Sequence, residues 1–231
     1  MEKTVAPGGV GAIDAELRAL LTGDSLRAAP ALAAFGQPAL ERLLDLIAGR
    51  VTLPQEGGQR QTQDGLSDAI VAFAKRDLDA VLAGVEARGV QEAVSVVWAL
   101  GCISDPRVVP ILLRSAASTA PLARTLAVSG LARQRDDRAT DALISALKDR
   151  VSDVRERAAE ALGDLGDPRA IKPLEAAHSS GYAAREPYFA DVTKSALEKI
   201  RAAAPASGAP ATATKKSATK KSATKKRATK K

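Results

Sequence analysis

Residues 154–174 read VRERAAEALGDLGDPRAIKPL, and this stretch decides the fold. Asp167 is a good helix N-cap, because a short carboxylate accepts from the unpaired amides of a first helical turn. Pro168 suits the first helical position, where a missing N–H removes no helical bond. A second helix precedes that cap. Ser152 can cap it, and Val154, Ala158, Ala161, Leu162 and Leu165 follow at offsets 0, 4, 7, 8 and 11, which is one face of a helix. Glycine near its end permits close packing or a left-handed stop. After the cap the chain runs through Ile171, Leu174 and Glu175 to a break at Ser179-Ser180-Gly181. The unit is helix, turn, helix.

The unit recurs. ALGCISDPRVVPIL at 99–112, GLARQRDDRATDAL at 130–143 and ALGDLGDPRAIKPL at 161–174 align without gaps at a spacing of 31 residues. Leu100, Leu131 and Leu162 coincide, as do Asp105, Asp136 and Asp167, and Arg107, Arg138 and Arg169. ALAAFGQPALERLL at 31–44 is a fourth copy, with Gly36 and Pro38 matching Gly166 and Pro168. Its offset of 130 from the third copy is not a multiple of 31, so an irregular segment intervenes. One pair of helices cannot enclose a core, but stacked pairs can. The expected fold is all-α, an α-solenoid of stacked antiparallel helix pairs. Aromatic residues make up only 3% of the chain, which suits close Ala/Leu helix packing.

The 154–174 motif resembles the HEAT-like repeat of the phycobilisome-lyase type. That resemblance implies a concave face of the kind used to hold a protein partner.

Along the chain, residues 1–10 read as a loose N-terminus and 11–201 as one helical repeat domain. Helices are expected at 11–22, 25–35, 38–49, 66–75, 77–87, 90–103, 106–117, 121–133, 137–148, 153–165, 168–178 and 185–202. VTLPQEGGQRQTQDG at 51–65 reads as an irregular exposed loop, and 179–190 as an insertion into the 31-residue period. AAAPASGAPAT at 202–212 is a linker, and 213–231 is a tail. A charged-then-apolar leader and an apolar run of about 18 residues are both missing. The expectation is a cytoplasmic protein, nucleoid-associated in a bacterium and nuclear in a eukaryote, without membrane insertion.

The tail, ATKKSATKKSATKKRATKK, carries the charge. Residues 205–231 hold eight Lys, one Arg and no acid, or +9. The whole chain has 34 basic and 27 acidic residues, so the remainder is 25 minus 27, or −2. The remainder uses 19 Arg and 6 Lys, and the tail reverses that preference. Lysine is a hydrated point charge suited to non-specific phosphate contact. No aromatic residue is present to stack on bases, and no large apolar residue offsets an ordering cost of roughly 1–2 kcal/mol per residue. The sequence therefore predicts a disordered arm. It resembles the lysine-rich tails of linker histones and of bacterial linker-histone-like proteins, though it lacks proline inside its repeat. The resemblance implies duplex-DNA backbone contact by Lys215, Lys216, Lys220, Lys221, Lys225, Lys226, Arg227, Lys230 and Lys231. Other readings of the same run are another polyanion, an anionic membrane surface, or a solubility tail.

On the body, the repeat register predicts that Arg155, Glu156, Ala159, Glu160 and Gly163 point outward. Their equivalents are Ala93, Val94, Val97, Trp98 and Gly101, so the helix at 90–103 is apolar even there. Either residues 51–75 fold over it, or Val94, Val97 and Trp98 form an exposed partner-binding patch. Arg107, Arg138 and Arg169 form either an inter-repeat ladder with neighbouring aspartates or a phosphate stripe. Arg124, Arg133, Arg135 and Arg138 make the second repeat locally basic, a secondary candidate for nucleic acid.

Catalytic signals are weak. The single His178 and single Cys102 cannot make a zinc site, and no cofactor or metal is expected. His178 fits a cap or surface role. No phosphate-binding glycine loop occurs. One His excludes the paired His-Glu motifs of deoxyhypusine hydroxylase-like repeats. Phycobilin lyases leave the tail without a use. HEAT-like DNA glycosylases need a basic groove with several aromatics. The first expectation is a non-enzymatic adaptor, holding a protein partner on the solenoid and nucleic acid on the tail. The alternatives are a signalling or assembly adaptor and, behind it, a lyase-like accessory factor or glycosylase-like enzyme.

Overall fold

A computed structural model describes residues 9–53, 64–134 and 136–203. Twelve α-helices occur among them: α1 (Val10–Leu21), α2 (Ser25–Ala34), α3 (Gln37–Ile47), α4 (Asp64–Ala74), α5 (Leu78–Arg88), α6 (Val94–Gly101), α7 (Val109–Ala116), α8 (Pro121–Leu131), α9 (Asp137–Ala146), α10 (Ser152–Leu165), α11 (Ile171–His178) and α12 (Pro187–Ala203). Short 3₁₀ turns at Pro106–Val108 and Pro168–Ala170 lead into α7 and α11. The described residues contain no strand. Every expected helix is present, although α6 is shorter than the span 90–103 because Ala93 is extended and starts it late.

The caps act as the sequence requires. Asp105, Asp136 and Asp167 each accept the amide N–H two residues on, at 2.9 Å. Gly166 stops α10 in the left-handed conformation at φ 68°, which a side chain rarely adopts. Pro30 lies inside α2 and supplies no N–H to the carbonyl one turn back.

The even-numbered helices α2, α4, α6, α8, α10 and α12 stack on one another in order. In the other layer α3 packs on α5 and α7 on α9. The layers are joined where α1 meets α2, α3 meets α4, α7 meets α8, α9 meets α10 and α11 meets α12. The result is an α-solenoid. Its core repeats with the sequence: Leu100, Leu131 and Leu162 are fully buried, and Leu112, Leu143 and Leu174 are buried one helix later. Each such side chain contributes about 1.5–3 kcal/mol.

The stacking corrects the outward assignment in the third repeat. Arg155, Ala159 and Gly163 are buried, while Glu156 and Glu160 are half-buried. In the first repeat Val97 and Gly101 are likewise buried. An inner helix of the stack has lateral neighbours on both sides, so only a narrow strip faces solvent. A Cβ on Gly101 would meet Gly130 Cα at 3.0 Å, and one on Gly163 would meet Ala196 Cα at 2.8 Å. These positions are crossings with the next helix.

Candidate functional site

The exposed strip of the even layer is set by register. Val94, Thr125 and Glu156 share one half-buried position. Trp98, Ser129 and Glu160 share the next, and Trp98 is 44% exposed. Of the candidate patch, Trp98 reaches solvent, Val94 does so partly, and Val97 is lost to the core. Packing of α4 against α6 accounts for the burial of Val97, while Trp98 is left exposed. The offset of the fourth copy places Leu26 and Pro30 at the same two positions on α2. At these two positions α2 carries Leu26 and Pro30, α6 Val94 and Trp98, α8 Thr125 and Ser129, and α10 Glu156 and Glu160, a change from apolar to acidic.

Arg107, Arg138 and Arg169 fold back on their own caps. Each donates Nη2 to the aspartate two residues earlier, at 2.8, 2.8 and 2.6 Å. Arg107 also reaches Asp79 at 2.8 Å, and Arg169 reaches Asp137 at 2.9 Å, both in the preceding unit. Arg138 makes no such reach: Pro110 stands 28 residues before it, where Arg107 has Asp79 and Arg169 has Asp141. The guanidinium of Arg107 holds the Asp105 carboxyl down to about 2, with the capping amide as the next cause. The arginines beside Asp136 and Asp167 lower those carboxyls in the same way.

A second series of arginines was not singled out in the sequence. Arg124 and Arg155 are 31 residues apart and only 6% and 1% exposed. Nη1 of each donates to a carbonyl six residues upstream, Arg124 to Ser118 at 3.0 Å and Arg155 to Asp149 at 2.6 Å. Each then pairs with a downstream carboxylate. Arg124 forks onto Asp149 at 2.8 and 2.9 Å, and Arg155 pairs with Glu186. Tyr182 covers the Arg155 guanidinium with its ring centroid 4.0 Å away. The signal was available as a spacing of 31 with acids downstream. Ala93 fills the slot in the first repeat, so only two copies carry it.

This corrects the secondary basic patch. Arg124 is buried against Asp149, not presented to solvent, because α8 turns that side toward the next repeat. Arg138 is exposed but held by Asp136. Arg133 donates to the Gly101 carbonyl at 3.1 Å, and Arg135 lies outside the described residues. Arg133 borders a cleft of about 570 Å³ that also includes Asp136, Asp137, Asp164 and Asp167. These carboxylates are already paired, Asp136 with Arg138, Asp137 and Asp167 with Arg169, and Asp164 with Lys199, so the cleft presents no surplus of cations to phosphate.

The nine tail cations, the linker beyond Ala203 and most of the 51–65 loop lie outside the described residues. His178 Nδ1 is 2.9 Å from Thr193 Oγ1 and 3.2 Å from the Ala190 carbonyl, which ties α11 to α12. Cys102 is exposed at the end of α6. Among the described residues no cluster of His, Cys, Asp or Glu could hold a metal ion. No described helix is long and apolar enough to cross a membrane.

The fold and this surface define a helical-repeat protein with two inter-repeat arginine series and a graded solvent strip. A family model for HEAT repeats matches residues 116–186, from the end of α7 through the segment after α11. No curated protein sequence matches the chain. Two crystal structures of engineered proteins align with it. One has 18% identity and a TM-score of 0.42, covering 82% of this chain and 96% of that one. The other has 19% identity and a TM-score of 0.41, covering 83% of this chain and 58% of that one.

Proposed function

We propose that the protein is a non-enzymatic scaffold that holds a protein partner on its solenoid and nucleic acid, chiefly duplex DNA, on Lys215–Lys231. The carrying observation is the separation of charge. On the body, Arg107, Arg124, Arg138, Arg155 and Arg169 are each engaged by a carboxylate. The cations without acids between them are the nine in 205–231. Phosphate contact therefore falls to the tail, whose binding is non-specific and places the protein at the nucleoid or on nuclear DNA. The HEAT-repeat match over 116–186 supports the scaffold half. The finer repeat type is the one resembling phycobilisome lyases, without their chemistry. Nδ1 of His178 is tied to Thr193, which gives this residue a structural role between α11 and α12.

The test is DNA binding by the full chain and by a chain ending at Ala204, across a salt titration. The full chain should bind any duplex, with log K falling against log salt at a slope approaching about −8. The shortened chain should not bind. Equal binding by both would move the contact onto the body and sink the tail reading.

A further inference from the structure

We propose that the groove between α2 and α4 is the seat of the protein partner, and that it takes an amphipathic helix bearing an acidic residue beside its apolar face. The inference rests on the scaffold reading above and gives it a location. The groove encloses about 400 Å³, room for a few apolar side chains of a ligand. Its α2 wall carries Leu26, 93% exposed, and Pro30. Its α4 wall carries Val71 and Ala72, both half-buried. Leu26 and Pro30 belong to the same register as Val94 and Trp98, so the groove is the apolar end of the solvent strip.

Charge fixes the occupant. From α4 into the turn that follows it, the groove reads Asp68, then Val71 and Ala72, then Lys75 and Arg76. Lys75 and Arg76 are exposed and make no ion pair with the described residues, unlike most arginines of the body. A helix laid between two helices presents anchors at i and i+4. Its apolar pair meets Leu26 and Val71, its acid meets Lys75 and Arg76, and a cation at its other end meets Asp68. Two cations against one acid make the ligand's acidic residue the dominant electrostatic requirement.

The experiment selects a phage-displayed library of random 16-residue peptides against the full chain, then measures synthetic winners by fluorescence anisotropy. The expected winners share an apolar i, i+4 pair next to Asp or Glu. Leu26→Glu should weaken them at least about tenfold, the loss of a central anchor. Leu26 is so exposed that the variant keeps its circular dichroism and Tm. Lys75→Glu with Arg76→Glu should also weaken them, and exchanging the peptide's acid for Lys should restore binding to that variant. Winners insensitive to these changes but lost with Trp98→Ala overturn the groove and leave the scaffold reading standing. Failure to select any peptide that depends on Leu26 overturns the groove. So does sedimentation showing a dimer that Leu26→Glu abolishes, because the groove would then hold a second copy.

Discussion

Arg155 is 1% exposed and charged, so its partners decide whether the end of the solenoid holds. It links the Asp149 carbonyl, the Glu186 carboxylate and the Tyr182 ring. Removing one partner of a buried pair leaves the other charge uncompensated, at about 3–5 kcal/mol. Glu186→Gln should therefore lose up to about that much stability in urea unfolding, because it leaves the buried guanidinium without a counter-charge, and Arg155→Ala, which leaves a partly exposed carboxylate and an unfilled site, should also destabilise. A negligible change in midpoint for Arg155→Ala would show that the pair is dispensable. The cap aspartates predict an acid transition. Asp105, Asp136 and Asp167 titrate below a free aspartate, so the native state binds fewer protons. Their stabilisation is complete above about pH 4, near the unfolded value, and is lost as pH falls toward about 2. Tm should stay level from neutral pH to about 4.5 and drop below it. The triple variant Asp105→Asn, Asp136→Asn, Asp167→Asn should have a flatter acid limb; an unchanged limb would remove the caps as its cause. The caps were legible because Asp and Pro act within a single turn. The direction of Arg155 was not, because burial depends on a helix 31 residues further on.

At the scale of the element, glycine sets how closely helices cross. A Cβ on Gly130 would stand 2.8 Å from Gly101 Cα, a backbone atom of the packed helix α6. Gly130→Ala should cost about 1–3 kcal/mol by forcing α6 and α8 apart, although alanine is the better helix former. Gly11 in α1 is the control, since none of the described residues lies within 4 Å of its added Cβ. Gly11→Ala should be neutral or stabilise by up to about 1 kcal/mol. Equal effects of the two changes in thermal unfolding would refute a packing role for Gly130. The sequence left glycine near the end of α10 with two roles, and two different residues fill them. Gly163 packs against Ala196 and Gly166 ends the helix. Helix positions were legible from the 3.6 period and the caps. Which residues face sideways was not, because a helical stripe marks the common core without marking lateral neighbours. Val97 and Ala159 were assigned outward for that reason.

For the whole molecule, a solenoid has neighbours but no centre. The partition of charge between body and tail was legible from composition alone. The apolar-to-acidic strip was not, since it emerges only when positions 94 and 98 are known to be open and 97 and 101 closed. The same geometry governs unfolding. The end helix α12 packs chiefly on α10 and α11, so its loss removes the last pair without touching α2, α4 or α6. Phe189 is the fully buried aromatic of that helix, with its ring 5.6 Å from the Arg155 guanidinium. Phe189→Ala should cost about 3–5 kcal/mol, and nearest-neighbour coupling should confine the damage. Hydrogen exchange should accelerate through α11 and α12 while amides of α2, α4 and α6 keep their protection. The buried Arg155 would lose its lid, so α10 should respond next and α8 less. A uniform rise across all helices would instead mean that the stack unfolds as one unit, and that the repeats are coupled more strongly than contact between neighbours allows.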